Sequence, residues 1–274
     1  RDRSVSRGLG DVYKRQIFSN VSAGIGDEIS TFPDYPAEIR APQGTLGGVS
    51  GFQVHIGKGV HTPGDLADVL VAMNPAALKT NACYVKKGGV VIIDSDSFRA
   101  SDLEKAAFTT DDPIQEAGFS HAQIVPVAIT QMVKDSLADS GLDNKSIVRC
   151  KNMFALGLVC WLFDRPLEQA QHLLKNKFAK KPAIYEANAK VMRDGYNYGN
   201  NIHASVSTYR VESAQVKPGI YTDVNGNTAT AWGLIAASEK SGLPLFLGSY
   251  PITPATDISV SYTHLRAHET LSDL

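Results

Sequence analysis

The sequence has few of the features that would place a protein in a membrane, in an oxidising compartment or on nucleic acid. No apolar run approaches the roughly 18 to 20 residues that span a bilayer, and the first residues contain no apolar core of a secretory signal. With 27 lysines and arginines against 28 aspartates and glutamates, the net charge of −1 provides no basic field for a phosphate backbone. We therefore expect a cytoplasmic protein that binds neither membranes nor nucleic acid.

Cysteine is also scarce. The three cysteines, Cys83, Cys150 and Cys160, include no C-x-x-C pair and cannot by themselves supply the four thiolates of an iron–sulfur cluster. We expect them to be small buried hydrophobic residues. The seven histidines include no H-E-x-x-H motif, so no metal site is predicted within this chain.

The two ends of the chain differ in pattern from its middle. Residues 1–16 (RDRSVSRGLGDVYKRQ) lack both strand and helix periodicity, and residues 261–274 (SYTHLRAHETLSDL) interrupt an unfinished α/β pattern. Both ends resemble translated sequencing-adapter sequence, so we expect the natural segment to cover residues 17–260 and the ends to make few core contacts. A native disordered arm and a short C-terminal helix are the alternative.

Between these ends, the apolar pattern predicts an open α/β domain over residues 17–194. Short apolar runs predict strands at 51–56, 68–73, 90–94 and 124–127. Helical patterns are found at 75–81, 130–140, 151–163, 167–178 and 183–193. Because segments of crossover length separate the last three strands, these strands should lie parallel in one sheet.

A second domain is predicted to begin after a linker. Residues 195–219 are rich in Asn, Gly, Ser and Tyr and are typical of a linker. Residues 226–240 predict a helix that starts near Asn225 or Asn227 and ends before Gly242, and 245–248 predict a strand. The loop YPITPATD would follow that strand at its carboxyl end, where α/β proteins bind ligands. Residues 220–260 therefore predict the start of a second α/β domain.

Several of these segments resemble one enzyme family. The run GNTATAWGLIAASEKSGLPLFLGSYPITPATDI resembles the opening of the pyrimidine-binding domain in alpha subunits of 2-oxoacid:ferredoxin (acceptor) oxidoreductases. The upstream segments FPDYPAEIRAPQGTLGGVSGFQVHI, ADVLVAMNPAAL, GGVVIID and KNMFALG are similar to the gamma domain of that family. The order of gamma before alpha resembles the fused alpha subunit of 2-oxoglutarate-type members more than a single-chain pyruvate enzyme.

The resemblance implies oxidative decarboxylation of a 2-oxoacid, with 2-oxoglutarate the first choice. It implies thiamine diphosphate with Mg²⁺ and iron–sulfur clusters, held mainly on partner subunits that include a thiamine-binding beta subunit. Coenzyme A would accept the acyl group and ferredoxin the electrons. A pyruvate or branched-chain 2-oxoacid member of the family and a non-catalytic nucleotide-binding α/β module are the alternatives, although a G-x-G-x-x-G after a first strand is absent.

The resemblance also assigns candidate site residues. The loop that faces the thiazolium and the substrate would consist of Tyr250, Pro251, Ile252, Thr253 and Pro254. Thr253 is the catalytic candidate because its hydroxyl can donate to a substrate carboxylate or a developing oxyanion, while the prolines restrict the loop backbone. Arg40 is a candidate contact for coenzyme A or for an interface. The glutamate that faces the aminopyrimidine in this family lies beyond the loop, so we expect this chain alone to be inactive.

Overall fold

The structure is a computed structural model of the 274-residue chain. It describes residues 3–5, 12–34, 49, 51–119, 121–202, 206, 208–214, 217, 219–222, 224–248 and 256–267. The chain divides into two compact units, Arg1–Val216 and Lys217–Leu274. No described helix combines the length and apolarity that a bilayer crossing needs.

The secondary structure of the described ranges comprises six strands, eleven α-helices and two 3₁₀ turns, Ala82–Tyr84 and Ser95–Ser97. The strands are β1 (Arg3–Val5), β2 (Glu28–Asp34), β3 (Gly51–Gly57), β4 (Ala67–Ala72), β5 (Val85–Asp94) and β6 (Gln123–Val127). The helices of the first unit are α1 (Val12–Gly24), α2 (Pro75–Asn81), α3 (Ala100–Lys105), α4 (Pro113–Glu116), α5 (Ile129–Ser136), α6 (Asn144–Arg149), α7 (Lys151–Leu162), α8 (Leu167–Lys177) and α9 (Pro182–Ile202). The second unit contains α10 (Gly226–Ser241) and α11 (Thr256–Ala267).

The six strands form one sheet in the order β2-β3-β1-β4-β5-β6. Neighbours from β1 through β4 and β5 to β6 are parallel, whereas β3 is antiparallel to both β1 and β2. Ala72 lies beside Ile93, and Asp94 lies beside Val127, so the carboxyl ends of β4, β5 and β6 meet at one edge. The predicted parallel arrangement of these three strands is confirmed.

Helices cover both faces of this sheet. Val69 and Val71 of β4 belong to a core shared with α1, α5, α7, α8 and α9, whereas Leu70 and Ala72 belong to a core shared with α2 and α3. Burial on both faces explains why a central parallel strand has a nearly continuous apolar sequence. The helix that follows β1 and the helix that follows β4 lie on opposite faces, which is the topology of a ligand-binding crevice in open α/β sheets.

The start of α2 is fixed by a cap at the end of β4. Asn74 Oδ1 accepts a hydrogen bond from the Ala77 amide at 2.8 Å, and Pro75 occupies the first turn, where a missing N–H costs nothing.

Replacing Asn74 with alanine should therefore lower the free energy of unfolding by about 1 kcal/mol, because the Ala77 amide loses its acceptor. Asn74→Asp, which keeps an acceptor oxygen, should retain most of the stability. Urea denaturation followed by circular dichroism measures both changes, and equal stability of the two variants would contradict the capping role.

The helix α7 is buried along almost its whole length, from Met153 to Leu162. It packs against α9 through glycine: a Cβ added to Gly157 would lie 1.9 Å from the Met192 carbonyl oxygen, and one added to Gly195 would lie 2.1 Å from the Phe154 carbonyl oxygen. The two helix backbones therefore approach more closely than any residue with a side chain would allow.

This packing corrects the predicted linker at 195–219. The helix α9 continues to Ile202, because Gly195 and Gly199 are buried against α7 and tertiary contacts outweigh the low helix propensity of glycine. Beyond α9, the amide of Tyr209 donates to the Leu162 carbonyl at 2.7 Å and that of Ala214 donates to the Gly26 carbonyl at 2.8 Å. Residues through Ala214 thus pack on the first unit.

The N-terminal end of the chain also differs from the expectation of few contacts. The strand β1 pairs with both β3 and β4, and α1 already begins at Val12. A three-residue strand can pair through its backbone without any apolar periodicity, which is why the pattern did not reveal it. At the other end, α11 continues to Ala267. The foreign origin of the ends, the start of the first domain at residue 17 and the second domain at 220–260 stay predictions.

In the second unit, α10 has the predicted caps. Asn225 Oδ1 accepts from the Thr228 amide at 2.8 Å, and Gly242 ends the helix with a left-handed φ of 68°. The predicted strand at 245–248 is wrong, because these residues are irregular. The described part of this unit contains no strand with which they could pair.

Candidate functional site

The carboxyl edge of β4, β5 and β6 is the position at which this fold would bind a ligand. The chain turns there from Ala72 into α2, from Asp94 into the segment before α3, and from Val127 into α5. Polar side chains from four elements meet at this edge: Asp94, Asp96, Ser97, Thr130 and Lys151.

Asp94 is the centre of this group, and it is completely buried. One carboxylate oxygen accepts from Ser97 Oγ at 2.9 Å, from Thr130 Oγ1 at 2.9 Å and from Lys151 Nζ at 3.4 Å. The other oxygen accepts from the Thr130 amide at 3.3 Å. A buried carboxylate needs this number of donors to offset its lost hydration, so Asp94 fixes the positions of three elements at once.

A second carboxylate, on Asp96, completes the start of α5. Asp96 Oδ2 accepts from the Gln131 amide at 2.8 Å, next to the Thr130 amide that Asp94 holds. The residue before α5, Ala128, has no side chain that could cap the helix. The two aspartates therefore satisfy first-turn amides, and their charges interact favourably with the positive end of the helix dipole.

Lys151 supplies the positive charge of the edge. It begins α7, its side chain is 25% exposed, and Asp94 is its one acceptor recorded within the described ranges. An ammonium group has three donors, so Lys151 can hold an oxygen of an anionic ligand while it stays paired with Asp94.

A groove of about 400 Å³ lies elsewhere, between α1 and α8, and is lined by Asn20, Glu168, Gln169, His172 and Leu173. Its lining contains no buried polar group aimed inward. The geometry of the sheet therefore favours the carboxyl edge over this groove.

A polar cluster on the α2 face has a structural role. The Glu116 carboxylate accepts from the amides of Thr109 and Thr110 and from Lys79 Nζ at 3.1 Å. Partial burial raises the pKa of Glu116, but these hydrogen bonds outweigh it and bring the pKa to about 2. Glu116 therefore stays ionised at any ordinary pH and ties the turn after α3 to α2.

The residues predicted from sequence to form the site, Tyr250, Pro251, Ile252, Thr253, Pro254 and Arg40, all lie outside the described residues, and their roles stay predictions. The group around Asp94 was not predicted. The sequence signal that could have found it is an aspartate directly after the apolar run V-V-I-I, because that position ends a central parallel strand.

Comparison with known proteins defines the family. The sequence profile described as pyruvate ferredoxin/flavodoxin oxidoreductase matches residues 8–198, well over half of the chain. The chain belongs to this family. The match covers five of the six strands, β2 to β6, and all of the edge described above.

One curated relative and one solved structure resemble the chain. It is 45% identical over 242 residues to the 2-oxoglutarate oxidoreductase subunit KorA of Mycobacterium tuberculosis, and this match covers 88% of the chain and 37% of KorA. Its fold resembles that of the 2-oxoglutarate:ferredoxin oxidoreductase of Magnetococcus marinus, solved with 2-oxoglutarate, coenzyme A and succinyl-CoA bound. That match has a TM-score of 0.72 and 24% identity and covers 97% of this chain and 42% of the solved chain.

The chain thus spans well under half the length of both proteins. The resemblance to 2-oxoacid:ferredoxin oxidoreductases and the mixed α/β fold with a parallel sheet, both predicted from sequence, are confirmed.

Proposed function

We propose that this chain forms part of the alpha-type subunit of a cytoplasmic enzyme that oxidatively decarboxylates 2-oxoglutarate. In this reaction the bond between C1 and C2 breaks, carbon dioxide leaves, two electrons pass to ferredoxin and the thiol of coenzyme A takes the acyl group. The observation that carries the proposal is the 45% identity to KorA over 88% of the chain.

Thiamine diphosphate with Mg²⁺, when bound, would supply the electron sink that bond cleavage needs. We propose that the loop of Tyr250, Pro251, Ile252 and Pro254 holds Thr253 so that its hydroxyl donates to the charged substrate. This role rests on the sequence resemblance alone, since the loop lies outside the described residues.

The iron–sulfur clusters are proposed to lie on partner subunits, because the thiols of this chain do not converge. Cys150 and Cys160 are buried at opposite ends of α7, as expected, and burial raises the pKa of the Cys160 thiol to about 12. Cys83 is exposed on the short turn after α2, contrary to the prediction of burial, because the 3₁₀ turn has no buried residue. We propose a thiamine-binding beta subunit as the partner and ferredoxin as the acceptor of the complex.

An exchange of segments tests the function. Residues 17–260 of this chain would replace the matching segment of KorA, which would then be expressed with the remaining subunit of that enzyme. We expect reduction of a viologen dye that depends on both 2-oxoglutarate and coenzyme A. Activity only with pyruvate or a branched-chain 2-oxoacid would identify that acid, and not 2-oxoglutarate, as the substrate. An assembled complex without any activity would contradict the proposal. The 274-residue chain alone should not turn over, since the activity needs its partner.

We propose further that the anionic part of coenzyme A lies at the carboxyl edge beside Lys151. The ammonium is partly exposed, and it is held by a buried carboxylate that cannot move toward the ligand. Arg40 remains a second candidate for this contact.

Lys151→Met in the exchanged protein should raise the KM for coenzyme A about tenfold and leave kcat nearly unchanged, because one charge-assisted contact contributes roughly 1.4 kcal/mol. Lys151→Arg should restore most of the affinity. Asp94 keeps its hydrogen bonds from Ser97 and Thr130 in both variants, so circular dichroism should match the parent. An unchanged KM in Lys151→Met would show that the lysine does not contact coenzyme A, and it would leave the proposed reaction unaffected.

A further inference from the structure

A buried ion pair joins two turns of the first unit on the side of α1 and α7. Asp27 lies in the turn between α1 and β2, and Arg165 lies in the turn between α7 and α8. Their nearest atoms, Asp27 Oδ2 and Arg165 Nη2, are 2.7 Å apart, and the two side chains are 0% and 3% exposed.

The contact between these charges is close but poorly aligned. Neither oxygen of Asp27 nor Arg165 Nη2 makes an aligned hydrogen bond within the described residues, and the nearby Ser22 Oγ is also buried without a partner there. Two charges removed from water are stabilised only when good hydrogen bonds offset their desolvation. This pair is therefore costly to keep ionised.

One segment is bonded to both turns. We call residues 208–214 the strap. The amide of Ala214 donates to the carbonyl of Gly26, the residue directly before Asp27. The amide of Tyr209 donates to the carbonyl of Leu162, three residues before Arg165. The Tyr209 ring stacks on Phe163 with 5.2 Å between ring centroids. The strap is therefore bonded to the residue before Asp27 and to the end of the helix before Arg165, so its displacement would uncover both turns.

We propose that the strap is a proton-sensitive latch: it closes more tightly over the two turns when Asp27 is protonated than when Asp27 is ionised. The closed state buries the carboxyl group, whereas an open strap would return it to water. Because a buried neutral carboxyl needs less solvation than a carboxylate, proton uptake favours the closed state.

The electrostatics of the pair agree with this direction. Burial raises the pKa of Asp27 to about 6, and attraction to Arg165, the smaller effect, lowers it only in part. The other titratable groups nearby do not reverse this rise in the pKa of Asp27. The Cys160 thiol stays neutral, and Asp164 and the charged strap residues Arg210 and Glu212 are exposed. On the neighbouring strand, the Glu28 carboxylate is held by the amides of Gly59 and Val60.

The sign of the effect follows from linkage. The closed state holds the pKa of Asp27 at about 6, above the 3.8 of a carboxyl in water, so the closed state binds the proton more tightly. The stabilisation of the closed state is complete below the lower pKa and is lost as the pH rises through about 6. The open fraction should consequently rise about tenfold between pH 5 and pH 7.5.

Hydrogen exchange at the amides of Tyr209 and Ala214 measures this opening in the full chain. After correction for intrinsic exchange rates, their protection should fall about tenfold from pH 5 to pH 7.5, while protection of the β5 amides stays constant. Asp27→Asn, which keeps a neutral side chain of the same shape, should give a protection that does not change between pH 5 and pH 7.5. Equal protection at both pH values in the wild type, or a tenfold fall that persists in Asp27→Asn, would overturn the proposal.

A reciprocal measurement does not depend on how well Asp27→Asn folds. Tyr209→Ala removes the stacked ring and frees the strap, so the titration midpoint of the Asp27 carboxyl carbon, followed by NMR, should move from about 6 toward 3.8. A midpoint that stays near 6 would show that the strap does not exclude water from the pair. Neither result depends on the proposed enzymatic function, because both concern opening within the first unit.

Discussion

Replacing Gly195 with alanine should lower the free energy of unfolding of the first unit by about 3 kcal/mol or more. The added methyl carbon would lie 2.1 Å from the Phe154 carbonyl oxygen and 2.8 Å from the Phe154 carbonyl carbon. These are backbone atoms of a buried helix, so no side-chain rotation can relieve the overlap. Gly157→Ala should be equally harmful, since its methyl carbon would meet the backbone of Met192 on the facing helix.

The matched control for these variants is Gly233→Ala. Gly233 lies inside α10, and an added Cβ there meets nothing within 4 Å, so the change should be neutral or should stabilise the helix by about 0.5 to 1 kcal/mol. Urea denaturation followed by far-ultraviolet circular dichroism reports the difference. If Gly195→Ala proved as harmless as Gly233→Ala, the close approach of α7 and α9 would not exist in solution.

The elements that sequence predicted best are those whose burial leaves a regular apolar pattern. The strands β4 and β5 are buried on both faces and appear as unbroken runs, and α7 appears as a helix that is apolar on every side. The end of α9 could not be predicted in this way. Gly195 and Gly199 have the composition of a loop, and only the facing helix shows why glycine is needed there.

The sequence could have predicted where on the sheet the site at the carboxyl edge lies, but not which residues form it. Parallel strands fix where their carboxyl ends meet, so an aspartate after V-V-I-I has a predictable location. The partners of this aspartate have no such predictable location, because Thr130 and Lys151 are 36 and 57 residues away from Asp94 along the chain. No local spacing connects such residues, because the contact arises only when α5 and α7 dock on the same edge.

The largest effect on activity is expected for Thr253→Ala in the protein that carries residues 17–260 within KorA. Under the proposed function, the Thr253 hydroxyl is a preorganised donor to the charge of the substrate. Loss of one such donor lowers turnover by about 10²-fold to 10³-fold, because the donor acts where charge develops and water is excluded. Folding should stay nearly intact, since a loop hydroxyl contributes little to core burial. The measurement is viologen reduction that depends on 2-oxoglutarate and coenzyme A.

Two neighbouring substitutions separate the hydroxyl from the shape of the loop. Thr253→Ser keeps the donor and should retain much of the rate, whereas Pro254→Ala keeps the donor but relaxes the backbone and should have the smaller effect. If the hydroxyl acts on the substrate, the order of turnover is therefore wild type, then Thr253→Ser and Pro254→Ala, with Thr253→Ala far below all three. Turnover of Thr253→Ala close to that of the wild type would show that the Thr253 hydroxyl has no role in catalysis. A Pro254→Ala variant as slow as Thr253→Ala would instead show that loop stiffness, and not the donor, determines the rate.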